Sequence, residues 1–458
     1  MRVAIIGGGI TGLSCSVYLS GKGISTVIFE SKKEAGGLAK GFNPSATKNS
    51  NKWKWNLEIF YHHIFTNDKE IIELAKTVGA KILINKPVTS SWLHGKEMQL
   101  DSPLSLLRFS ELSFFARLRM GFGLFALKMI PNGLFLEKYK ATEVLPELLG
   151  KEGYDLVWKK LLTAKFGPYV NEVNLAWFWS RVAKRTKNLG YFEGGFDRLV
   201  EKMEVDIKKN GGEIRLGTEV KSLTLPGLPQ LEYEIRNDEK SNGMISNKVV
   251  VNGEEFDAVV VTTPAPIAEK LLKGWIPGQA RNDDVGILDT KIGKTKINYL
   301  WGQTLILELS RKILNGYWLN ILEDNFPFLV TVEHTNMIDK KMYGNNRIVY
   351  LGNYLPEGHK QLSMTKEELV KLYTPFIKKI NGHFDKKLIK NSFLFREPFA
   401  QPVFPVNYSK TIPNIKVSNG VYLANMSMVY PFDRGTNYAV KMGRDVAKMI
   451  IRDIKKNV

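Results

Sequence analysis

Val3-Ala4-Ile5-Ile6-Gly7-Gly8-Gly9-Ile10-Thr11-Gly12 decides the fold of this chain. A short apolar run without alternation is what a strand buried on both faces requires. The glycines that follow read Gly7-x-Gly9-x-x-Gly12, and Leu13 to Lys22 carries a helical pattern that stops at Gly23. Thr26-Val27-Ile28-Phe29-Glu30 reads as the next strand, which sets Glu30 eighteen residues after Gly12. Strand, glycine turn, helix, strand and closing acid together make a dinucleotide site. Gly7 permits the tight turn, Gly9 lets a pyrophosphate approach the backbone, and Gly12 lets the helix pack closely on the strand. The helix start then offers free N–H groups and the positive end of its dipole. Glu30 accepts hydrogen bonds from ribose hydroxyls and repels a phosphorylated ribose, which favours FAD or NAD over NADP.

A second glycine pair decides between those two. After Glu30 comes Ser31-x-x-x-x-Gly36-Gly37-Leu38-Ala39. Near the other end, Gly420-Val421-Tyr422-Leu423-Ala424-Asn425 reads as a strand, and Asp433-Arg434-Gly435-Thr436-Asn437-Tyr438-Ala439-Val440 leads into a helix. In these stretches the chain resembles the superfamily of FAD-dependent amine oxidases, protoporphyrinogen oxidases and phytoene desaturases. The resemblance implies that Gly36, Gly37 and Leu38 extend the FAD fingerprint. It implies that Val220, in Glu219-Val220, meets the adenine side through its backbone. It also implies that Asn425, Arg434, Gly435, Thr436, Asn437 and Ala439 face the flavin ring and pyrophosphate. Thr262-Thr263-Pro264 matches the strand-to-loop return of the same domain. Leu38 stands where many members carry arginine, so one phosphate contact is not expected here. No cysteine lies near the C-terminal motif, which leaves FAD held non-covalently there. No second Gly-x-Gly-x-x-Gly follows a strand, so a separate nicotinamide domain is not expected.

The rest of the chain sets bounds. Its 458 residues suggest about three domains or two intertwined ones. Residues from about Leu57 to Arg185 read as mostly helical, whereas strand-like runs recur from Thr304 to Tyr354. Asn252-Gly253 between apolar runs predicts a tight hairpin. The expected fold class is α/β: a Rossmann-like FAD-binding domain assembled from discontinuous segments, 1–84, 191–272 and 416–458. The substrate domain is then a helical part, 85–190, and a mixed sheet, 297–415. Residues 273–296 show no periodicity and read as an insertion.

A single cysteine, Cys15, excludes dithiol chemistry and a Cys-rich zinc site, and no metal site is expected. The net charge of +19 favours anionic partners, but the lysines are scattered and no nucleic-acid motif is present. Leu112 to Pro131 is the most apolar long stretch, interrupted by Arg117, Arg119 and Lys128. It is too charged to span a membrane. It reads as a helix, and contact with an acidic membrane surface is the second expectation. A cytoplasmic location is expected, and the oligomeric state is left open.

Glu58-Ile59-Phe60-Tyr61-His62-His63-Ile64-Phe65 places two of six histidines side by side. This segment is similar to the His-Ile-Phe loop of UDP-galactopyranose mutases, flavoproteins of related fold. His62 or His63 is therefore the candidate catalytic residue, since imidazole titrates near neutrality. On an extended segment the two point to opposite faces, so at most one of them faces the flavin. Glu333-His334-Thr335-Asn336 reads as a solvated turn, with the substrate side of the flavin as its other reading, and Trp177, Trp179 and Arg181 as the wall of an apolar pocket or plain core. The expected activity is hydride transfer from a small-molecule substrate to flavin N5. Phe114, Phe115, Phe122, Leu124 and Phe125 would suit a bulky apolar substrate, and an amine is the other class. The alternatives are a UDP-sugar mutase-like isomerase and a non-catalytic FAD-binding protein.

Overall fold

The computed structural model describes residues 1–44, 53–224, 248–272 and 297–456. The expected insertion at 273–296 lies outside them. Strand β1 (Arg2–Ile6) is an inner strand of a six-stranded sheet. Its neighbours are β2 (Ser25–Phe29) on one side and Ala258–Val261 on the other, both parallel. Glu213–Arg215 extends the sheet beyond β2, and Val421–Leu423 extends it beyond Ala258–Val261. Lys416–Ser418 closes the far edge in antiparallel pairing. Ile5 stands between Ile28 and Val260, all three fully buried, which is why these runs are continuously apolar.

Three separate stretches of chain thus meet in one sheet, as the α/β expectation requires. Helix α1 (Ile10–Ser20) covers the sheet and lies against the C-terminal helix, Thr436–Lys456. Their contact is close enough that a Cβ on Gly443 would sit 2.4 Å from the Thr11 carbonyl oxygen. The Asn-Gly hairpin forms as expected between Val249–Val251 and Glu254–Phe256. Asn252 and Gly253 both take positive φ, 50° and 82°, the combination that matches the strand twist.

The second sheet is mixed. Among the described residues its strand order is Ile389–Pro402, Tyr299–Leu309, Arg347–Leu355, Val330–Glu333, Trp318–Ile321, Thr89–Leu93 and Lys96–Gln99. Only Trp318–Ile321 with Thr89–Leu93 is parallel. Two elements correct the sequence reading. Thr89–Leu93 and Lys96–Gln99 are strands inside the stretch expected to be mostly helical. Thr89-Ser90-Ser91-Trp92-Leu93 is buried on both faces, so it carries no polar alternation to betray it. Ile389–Pro402 is an edge strand of fourteen residues whose mixed polar sequence follows from its half-exposed faces.

The helical region has its own core. The helices Phe114–Met129, Ala141–Leu149, Lys159–Phe166 and Leu175–Ala183 enclose Met120, Leu145, Leu162 and Phe178. Among the described residues no helix is long and apolar enough to cross a membrane.

Candidate active site

The glycine turn is built as its spacing predicts. Gly7 takes φ +111°, and its amide donates to the Phe29 carbonyl at 2.9 Å. The Thr262 hydroxyl donates to the carbonyls of Ile6 and Gly7, both at 3.0 Å, and ties the third strand to the turn. A Cβ on Gly12 would lie 2.0 Å from the Gly7 carbonyl oxygen. Gly9, by contrast, opens onto free space: a Cβ there would meet nothing within 4 Å. Gly36 and Gly37 fold the second glycine pair onto the first. The Gly36 amide donates to the Gly8 carbonyl at 2.8 Å, and both glycines hold positive φ, 107° and 60°. Leu38 lies half-buried in the following 3-10 turn, Gly37–Ala39.

Glu30 is buried beside this turn. Its carboxylate accepts from the amides of Gly8 and Lys32, each at 2.8 Å. Helix α1 starts at Gly9 with no side-chain cap and no acid in its first turn. A helix end left uncapped above an open glycine is a seat for an anion. These features fit a dinucleotide pyrophosphate. Val220 lies in the loop after Glu213–Arg215 and packs in one apolar cluster with Val27, Phe29 and Phe256.

The C-terminal residues divide. Asn425 turns the chain: its side-chain oxygen accepts from the Ser427 amide and hydroxyl at 3.1 and 2.6 Å. Gly435 accepts from the amides of Tyr438 and Ala439, so the C-terminal helix begins at Thr436 with its first amides free to face a ligand. The Asn437 side chain is committed elsewhere. It accepts from the amides of Glu70 and Ile71 at 3.0 and 3.2 Å and so closes the start of the helix Lys69–Val78. Arg434 also turns from the phosphates toward the second sheet. It donates to the Gln401 side chain at 2.9 Å and lies 4.8 Å from the Tyr354 ring centre.

His62 and His63 do point to opposite sides. The His62 ring lies 5.3 Å from Phe196, and its Nδ1 donates to the Phe60 carbonyl at 2.7 Å. That bond leaves Nε2 bare. His63 stands among Phe65, Tyr317 and Trp318, and its Nδ1 is buried without a partner among the described residues. Burial pushes His62 down to about 4, and Arg434 adds to the fall. Burial, then Arg185 and Arg181, pushes His63 down to about 3. Both imidazoles are therefore neutral at pH 7, and neither is a strong base.

Beside His63 stands a group of cations with one acid. Asp433 is buried and accepts from Trp177 Nε1 and Arg181, each at 3.0 Å, and from Gln401 at 3.3 Å. Lys165 lies 3.7 Å from the same carboxylate and 4.8 Å from the Tyr354 ring centre. Burial would raise Asp433, but Lys165 and Arg181 hold it below the usual carboxylate value. Burial lowers Lys165 to about 7, and Arg185 and Arg434 each to about 10. Arg185 makes no hydrogen bond or ion pair among the described residues. Lys165 and Arg181 thus share Asp433 as their near counter-charge, while Arg185 feels Asp101 and Arg434 stands against Tyr61 and Gln401.

The match to the model of flavin-containing amine oxidoreductases runs from residue 10 to residue 451. The chain belongs to that family. Solved structures agree on the fold. A provisionally named protoporphyrinogen oxidase from Exiguobacterium sp. 255-15 superposes with a TM-score of 0.71 at 15% identity, over 99% of both chains. Cyclohexylamine oxidase from Brevibacterium oxydans gives 0.66 at 14%, again over 99% of both. Reduced UDP-galactopyranose mutase gives 0.70 at 12%, over 98% of this chain and 93% of that one. At such identities the likeness speaks for the fold alone. No curated relative matches by sequence.

For a member of this flavin family, the sequence reading omits several polar residues of the site. Lys165, Arg185 and Asp433 come from three places in the chain, and nothing in their spacing links them. Arg181, expected in an apolar pocket wall or plain core, instead bonds the buried Asp433. Glu333 and His334, expected in a solvated turn, are fully enclosed instead. Glu333 accepts from the amides of Ile313 and Leu314, and His334 bonds Tyr343, so both hold the sheet together.

Proposed function

We propose that this chain is an oxidoreductase using non-covalent FAD, with a substrate that presents an anionic group beside the carbon it oxidises. When bound, FAD supplies a hydride acceptor at N5. The free amides of α1 and the open face at Gly9 hold the pyrophosphate, and Glu30 takes the ribose hydroxyls. The first amides of the C-terminal helix stabilise negative charge at their end of the cofactor. Arg181 and Arg185 hold the substrate's anion, and Lys165 and Arg434 add to the field. His62 keeps Nε2 as a hydrogen-bond acceptor, because Nδ1 is tied to Phe60.

The observation that carries the substrate class is the excess of cations, Lys165, Arg181, Arg185 and Arg434, over the acids that act on them, Asp433 and Asp101. A protonated amine in that space would meet like charge in a water-poor site, which costs affinity. The test is perturbation of the bound flavin's visible spectrum by small ligands. Carboxylates and pyrophosphate are expected to shift it, with simple alkylamines inert. Arg181→Ala with Arg185→Ala should weaken the anion effect by roughly tenfold to a hundredfold. Equal response to amines in wild type and variant would remove the anionic class.

The arginine pair also favours a second reading, an isomerase acting on a sugar nucleotide. That reading expects turnover only after reduction of the flavin, with no electron acceptor consumed.

A further inference from the structure

The helix Phe114–Met129 turns two apolar faces in opposite directions. Ala116, Met120, Gly123 and Leu127 face the helical core. Gly123 allows a close approach, since a Cβ there would lie 2.7 Å from the Leu148 carbonyl oxygen. On the other side Phe115, Phe122, Met129 and Phe125 are 80, 71, 64 and 61% exposed, and Phe114 is exposed beside them. At 100° per residue these five side chains fall within one stripe about 100° wide. Leu104 and Leu107 of the neighbouring helix Pro103–Leu107 are exposed too and widen it. Arg117 joins the two helices by donating to the Leu107 carbonyl at 2.5 Å. Single exposed apolar residues need no explanation, whereas a contiguous aromatic stripe marks a docking surface.

The charge around the stripe says what docks there. Arg108, Arg117, Arg119 and Lys128 border it, Glu111 is the only acid between residues 103 and 130, and Glu152 at the helix start accepts from the Ser113 amide and hydroxyl. Glu111 is drawn aside by His94, at 2.6 Å. A second copy meeting this face through a two-fold axis would set basic rim against basic rim. An anionic lipid surface satisfies both parts, aromatics at the acyl boundary and arginines among the headgroups.

We propose that the Pro103–Leu107 and Phe114–Met129 helices form a monotopic docking face for an anionic lipid bilayer, lying in its plane without crossing it. This rests on the surface alone and stands apart from the flavin chemistry.

Flotation of the full-length protein with vesicles tests it. Equimolar phosphatidylglycerol and phosphatidylcholine should carry the wild type upward, and phosphatidylcholine alone should carry at least several-fold less. Added salt should release part of the bound fraction. Phe115→Glu with Phe122→Glu changes only exposed side chains and should lower binding by roughly tenfold or more with an unchanged melting temperature. Lys128→Glu with Arg108→Glu should abolish the preference for the anionic lipid while leaving the fold intact. Wild type that stays unbound with both compositions would overturn the proposal. So would equal flotation of the phenylalanine variant, or a wild-type dimer in sedimentation that this variant dissociates.

Discussion

Gly9 and Gly12 stand three residues apart, and one added methyl group separates their tasks. At Gly12 it would strike the Gly7 carbonyl at 2.0 Å, so Gly12→Ala should damage the fold itself. A loss of at least ~1–3 kcal/mol in urea unfolding is expected, as for overpacked cores. At Gly9 the methyl enters open space, and φ of −72° suits any residue. Gly9→Ala should therefore keep the melting temperature within a degree or two of wild type, roughly the range of neutral changes, yet bind FAD far more weakly. Cofactor titration beside thermal unfolding separates the two effects, and a parallel loss in both variants would refute the distinction. Glu58 carries a pH prediction. It is fully enclosed and accepts from the Tyr191 hydroxyl and the Phe196 amide, and burial raises it from 4.5 to about 7. Between those values the folded protein holds a proton that the unfolded chain has lost. Stability is thus full at the acid end of the window and falls as pH rises through it, by on the order of 2–3 kcal/mol. Glu58→Gln should flatten that dependence in denaturant unfolding, and matching slopes in both proteins would contradict the assignment.

Elements differ in how openly their sequence announces them. The turn from Val3 to Gly12 is legible because Gly7 and Gly12 answer local steric demands and Gly9 keeps the space beside them open. The Asn252-Gly253 hairpin is legible for the same reason, as both residues need positive φ. Thr89–Leu93 was hidden because a strand buried on both faces loses its alternation, and its hydroxyl residues look like a loop. Asn437 shows a subtler limit. Motif reading assigns it to the cofactor, whereas its side chain closes a helix hundreds of residues earlier. Asn437→Ala should cost about 1 kcal/mol, the usual value of a helix cap. Asn437→Asp should recover most of that loss, because the acceptor oxygen remains. Chemical denaturation of the three proteins checks the order, and equal stability of alanine and wild type would show that the cap is idle.

At the scale of the whole molecule, the site is the place where distant segments converge. The start of the chain, its middle and its end each give strands to one sheet, and Gly443 brings the C-terminal helix onto Thr11. This convergence was readable, since motifs at both ends pointed to one cofactor. The charge cluster was not, because Lys165, Arg181 and Asp433 come from three places in the chain and meet only through tertiary packing. Opposing charges far apart in sequence are also why removing Asp433 should be felt widely. Asp433→Asn would leave Lys165 and Arg181 without their near counter-charge, and a loss on the order of 3–5 kcal/mol is expected. The account as a whole depends on the cofactor. Protein purified without added cofactor should show a flavin absorption spectrum, or acquire one on addition of FAD, and denaturation should release intact FAD. Wild-type protein that is folded, colourless and unable to take up FAD would contradict the central claim.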